Sequence, residues 1–106
     1  MKWLRTKQGL IHRIKENMHG DFVILENGYG IFTKDCKLAV TPQELIQEGD
    51  LVKLENEDTT FTIQIVGLRP KHIQSVHLEY SLEMFEIVSI YTKDSLGNYI
   101  KQWEVR

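Results

Sequence analysis

The chain has 106 residues, a formal net charge of −2, 42% hydrophobic and 26% charged residues, and one cysteine. This balance excludes intrinsic disorder, and one cysteine excludes a scaffold built on internal disulfides. The length predicts a single domain over residues 1–106 that needs neither a metal nor a disulfide to hold it.

Charges interrupt every apolar run of the N-terminal segment Met1–Ile14, which leaves no signal-peptide core and no membrane span and predicts a cytoplasmic protein. Residues 1–20 carry Lys2, Arg5, Lys7, Arg13 and Lys15 against Glu16 alone, whereas residues 41–58 carry six carboxylates against Lys53. Such asymmetry reads either as a basic docking face and an acidic one, or as ordinary solvated strand faces.

Two apolar runs flank Asn27-Gly28, which predicts a hairpin on a type I′ turn, with Gly30 marking a bulge. Thr41-Pro42-Gln43-Glu44 has the form of a capping box with proline at the first helical position, and Gly49 supplies a stop. A short helix over about residues 42–48 follows, with Leu45 and Ile46 as its apolar contacts.

Strands then resume at Leu51–Leu54 and at Thr60–Val66, where Phe61, Ile63 and Ile65 alternate with Thr60, Thr62 and Gln64. A second alternation runs from Val76 to Met84 and slips phase at Met84-Phe85, as a bulge or turn would cause. A helix over residues 82–91 is the alternative, disfavoured by β-branched Ile87, Val88 and Ile90. Asp94–Asn98 reads as a turn into a last strand, Tyr99–Val105. Seven or eight short strands with one short helix describe a mainly β fold, a small antiparallel barrel or sandwich of the SH3-like or OB-like kind.

The chemistry-bearing residues form no catalytic signature. His12, His19, His72 and His77 lack metal-ligand spacing, so no metal and no cofactor is expected. The lysines flanking Cys36 would lower its thiol pKa, yet no nucleophile motif surrounds it, and a half-buried loop cysteine is the simpler reading. Glu79 and Glu83 fall on the solvent side of one strand, with Glu86 nearby, and Gly28-Tyr29-Gly30 lacks the glycine pattern of a phosphate loop. These features predict a protein that is not an enzyme.

Surface recognition remains. Lys2, Trp3, Arg5 and Lys7 interleave an aromatic with cations, Arg13 and Lys15 follow, and Arg69, Lys71 and His72 form a second basic loop. β-Barrel domains bind single strands by stacking bases on aromatics in a cationic groove, so nucleic acid is one candidate partner and another macromolecule is the other. In the last strand, period two places Tyr99, Trp103 and Val105 on one face and Ile100 on the other, with Lys101 guarding the edge. That aromatic face predicts a symmetric homodimer through the C-terminal strand.

Two stretches, Ile46–Lys53 with its Glu48-Gly49-Asp50 step and the tail Ile90–Glu104, resemble small proteins of phages and prophages of Gram-positive bacteria, including the YopX-like family. Together they cover about a fifth of the chain. The resemblance implies a cytoplasmic, β-rich accessory protein and carries over no catalytic or binding residue. The combined expectation is a non-enzymatic interaction module, with a nucleic-acid-binding barrel as the alternative.

Overall fold

A computed structural model describes residues 1–105. The fold is mainly β, with half of the chain in strands and 4% in helix, and every strand pairing is antiparallel. The chain forms two compact units, Met1–Leu45 and Ile46–Arg106. The first carries seven Lys and Arg against five Asp and Glu, the second six against ten, so the charge asymmetry follows the units.

The first unit holds β1 (Trp3–Arg5), β2 (Ile11–Asn17), β3 (Phe22–Leu25), β4 (Gly30–Phe32) and β5 (Lys37–Ala39). They form one sheet in the order β4-β3-β2-β1-β5, a meander whose last strand returns beside the first. Period two turns Leu4, Ile14, Val23 and Leu25 into a common core, with Ile31 and Cys36 packed against it. A register shift between Ile14 and Glu16 bends β2 and leaves Lys15 outside the ladder.

The predicted β3–β4 hairpin is present, but its turn differs. Gly28 N–H donates to Leu25 O at 2.9 Å and Leu25 N–H to Tyr29 O at 2.8 Å, closing a three-residue loop, Glu26–Gly28. Within the loop only Gly28 has a positive φ, +94°, because a three-residue loop needs just its last residue in the left-handed region, and the Asn27 side chain accepts from Tyr29 N–H at 3.0 Å. This is the loop form in which one left-handed glycine completes the turn. Gly30 is no bulge: it pairs in register with Ile24, and its missing side chain makes room for the Phe22 ring.

The predicted helix is shorter and tighter, a 3₁₀ turn over Pro42–Leu45. Glu44 reaches back to Thr41 N–H at 2.8 Å as expected, but the Thr41 hydroxyl donates to the same carboxylate at 3.0 Å instead of accepting from the backbone. The backbone bond at this step, Glu44 N–H to Thr41 O at 3.3 Å, has the three-residue spacing of a 3₁₀ helix. Beyond Leu45 the buried Asp50 carboxylate accepts from Gln47 N–H at 2.8 Å, which draws residues 47–50 into a turn that contains Gly49 at φ +95°.

The second unit holds β6 (Leu51–Glu55), β7 (Thr60–Gln64), β8 (Gly67–Arg69), β9 (His72–Gln74), β10 (Glu79–Ser81), β11 (Glu86–Lys93) and β12 (Tyr99–Glu104). Four of these form a sheet in the order β12-β11-β6-β7, and three form a sheet in the order β10-β9-β8. Among the described residues none of the sheets closes on itself, which corrects the barrel expectation. Val52, Leu54, Ile87 and Ile90 are buried in this unit, and Phe61, Tyr80 and Phe85 form a ring trio with centroids 5.1 to 5.7 Å apart. The long strand expected from Val76 is only three residues: Ser75 accepts from Leu78 N–H through its hydroxyl and holds residues 75–78 as a turn. The phase slip at Met84-Phe85 is a turn over residues 82–84, and β11 replaces the alternative helix.

Candidate interaction surfaces

The basic residues singled out from the sequence do not form one face. Arg5 is buried at 5% exposure, and its Nη1 donates to Leu45 O at 2.9 Å, so it holds the 3₁₀ turn onto β1 instead of meeting a ligand. Arg13 sits opposite Trp3 in the β1–β2 register, lies over its ring at 5.8 Å and pairs with Glu26 at 3.5 Å. Lys2 and Lys15 are exposed near one end of the β1–β2 pair, and exposed Lys7 is in the turn at the other. In the second unit Arg69 pairs with Glu79 at 3.3 Å and Lys71 with Glu83 at 3.5 Å. Lys71 occupies a left-handed position, φ 60°, in the turn between β8 and β9, and His72 Nδ1 lies 2.8 Å from Pro70 O.

The acid–base candidates are similarly spread. Glu83 lies in the turn after β10, so it does not share a strand with Glu79, and Glu86 stands opposite Glu55 across β11 and β6. Burial, joined by the Asp35 charge, pushes the Cys36 thiol up, which reverses the lowering expected from its lysine neighbours. Burial lowers His12. Among the described residues no group of three His, Cys, Asp or Glu is placed to hold a metal ion, and no helix is long and apolar enough to cross a membrane.

The C-terminal strand departs from simple alternation. Tyr91 pairs with Lys101 and Ile90 with Trp103, leaving Gln102 as the extra residue of a bulge. Directly opposed residues share a face. Trp103 therefore joins Ile100 on the side of buried Ile90 and Thr92, while Tyr99 joins Lys101 and Glu104 on the other side. The shared face of Tyr99, Trp103 and Val105 does not exist, because one inserted residue reverses the parity. Tyr99 is occupied: its hydroxyl donates to Gly49 O at 2.8 Å and accepts from Gln64 Nε2 at 3.0 Å. Lys101 binds Glu104 at 3.0 Å, and Val105 N–H donates to Val88 O.

The surface that the sequence did not single out is the β3–β4 hairpin. Phe22 and Phe32 are cross-strand partners whose rings meet edge to face, 5.0 Å apart at 66°. Phe22, Ile24 and Phe32 share the side of the sheet opposite the core, and Phe32 is 68% exposed and Tyr29 74%. Glu16 stands directly opposite Ile24, so a carboxylate borders the aromatic side. The only sequence signal was period two: with Val23 and Leu25 inward, Phe22 must face outward. Comparison of the chain with protein families, with curated proteins and with solved structures finds no significant match.

Proposed function

We propose that the protein is a non-enzymatic interaction module whose partner is another protein, contacted through the aromatic side of the β3–β4 hairpin. The observation that carries this reading is the outward-facing Phe22–Phe32 pair, half-buried at Phe22 and exposed at Phe32, since aromatics are enriched in interface cores. Gly30 supports it, because its missing Cβ lets the Phe22 ring lie flat along the hairpin. The Glu16 carboxylate, opposite Ile24, borders this aromatic side, which favours a partner segment with apolar and cationic side chains over a polyanion. A cytoplasmic phage or prophage accessory role belongs to the same proposal and is supported by the YopX-like resemblance of Ile46–Lys53 and Ile90–Glu104. So does an SH3-like or OB-like relationship of the fold, supported by its short antiparallel strands and tight turns.

A photo-crosslinking side chain at position 32, in cells that produce the protein, tests the reading. A discrete protein adduct is expected that is missing when the same group replaces Leu96, an apolar residue 83% exposed in the turn before β12. Identical adducts from both positions would overturn it. Binding of a labelled oligonucleotide that weakens steeply with salt would favour the nucleic-acid alternative through Lys2, Lys7 and Lys15.

A further inference from the structure

The two edges of the four-stranded sheet are built differently. The β12 edge carries the Gln102 bulge and Lys101, both devices that discourage pairing with another strand. The β7 edge, Thr60-Phe61-Thr62-Ile63-Gln64, carries neither: it is regular, uncharged and rich in β-branched residues. Its hydrogen-bond phase follows from its neighbours. Asn56 N–H donates to Thr59 O at one end and Ile65 N–H to Asp50 O at the other, so Phe61, Ile63 and Ile65 point their backbone groups toward β6. The N–H and C=O groups of Thr60, Thr62 and Gln64 therefore point outward, and among the described residues no backbone bond uses them. All three residues are exposed.

We propose that this edge pairs with the same edge of a second copy, antiparallel about a two-fold axis at Thr62. In that register Thr62 faces Thr62 of the partner subunit, Thr60 faces Gln64 of the partner subunit, and Phe61 faces Ile63 of the partner subunit. Polar meets polar on one side of the joined sheet and apolar meets apolar on the other. The outward-pointing residues are the ones that become hydrogen-bonded pairs, so all six open groups find partners. A two-fold contact of this kind requires self-complementarity, which the order Thr-Phe-Thr-Ile-Gln provides around its centre. The acidic hairpin tips at Glu57 and Asp58 fall at opposite ends of the pair, about 27 Å apart at 3.4 Å per residue, beyond the screening length of physiological salt. The strand pair is small beside stable dimer interfaces, so association is concentration-dependent.

Register-specific crosslinking of the full chain is the test. Paired residues of this type have Cα atoms about 5.5 Å apart, within disulfide range, so Thr62→Cys should oxidise to a covalent dimer of twice 12.5 kDa. Thr60→Cys, four residues out of register with itself, should not. Both retain Cys36, so wild type and Thr60→Cys report any crosslinking through that thiol. Thr62→Lys should raise the dissociation constant of the reduced protein about fivefold, with salt restoring part of the loss. Equal crosslinking at 60 and 62, none at 62, or a 12.5 kDa particle up to on the order of 1 mM overturns the proposal.

Discussion

Replacing Arg5 by Met separates a structural cation from a docking one. Met keeps most of the buried aliphatic stem and removes the guanidinium, leaving Leu45 O without the donor that reaches it at 2.9 Å. Leu45 is 2% exposed and Arg5 5%, so water does not replace the bond. A hydrogen bond from a charged donor contributes about 1.5–3 kcal/mol, and a buried carbonyl left unsatisfied costs about 1–3 kcal/mol, two views of the same loss. Relief from desolvating the guanidinium opposes it, but that relief wins only when the partner is also replaced by an apolar group, and here the carbonyl stays. The net expectation is a destabilisation of about 2 kcal/mol, or about 8–16 °C in melting temperature for a chain of this size. Urea and thermal unfolding followed by circular dichroism give the number. Lys7→Met, an exposed change in the turn after β1, should stay within about 0.5 kcal/mol of wild type. An Arg5→Met protein that unfolds at or above the wild-type midpoint would refute the assignment.

The Thr92 hydroxyl is buried at 1% exposure with no hydrogen-bond partner among the described residues, so isosteric Thr92→Val should raise stability by about 1 kcal/mol; a loss in urea unfolding would show that the hydroxyl is satisfied. The Thr41 backbone N–H and then its hydroxyl hold the Glu44 carboxyl below its ordinary range. A depressed folded-state pKa stabilises above the unfolded value of about 4.3 and is lost as pH falls through the lower folded value. Glu44→Gln should accordingly flatten the acid limb of urea-midpoint profiles below about pH 4.3, and parallel profiles for the two proteins would count against this reading.

The hairpin at Asn27-Gly28, the strand starting at Leu51 and the alternation of Phe61, Ile63 and Ile65 were legible in the chain because each rests on neighbours in sequence: a glycine free to take positive φ, or a period of two. The same period also implies an outward Phe22. The candidate site was less legible. Nothing in Lys2-Trp3-Leu4-Arg5 distinguishes a cation that will be buried against Leu45 O, forty residues on, from one left in solvent. Cys36 looks activated beside Lys34 and Lys37, but burial pushes its thiol the other way.

By itself, the sequence determined a mainly β chain, the places where it turns, and which residues of each regular strand share a side. Those properties come from backbone sterics and local spacing, which act within a few residues. Only the tertiary structure decided the strand pairings and the breaks in their register. One extra residue at Gln102 moves Trp103 to the core side and removes the aromatic face that strict alternation implied. The choice of edges was also tertiary: β12 and β7 lie at opposite ends of one sheet because β11 and β6 pair between them. Which backbone groups stay open depends on partners distant in sequence, and local propensity carries no information about them.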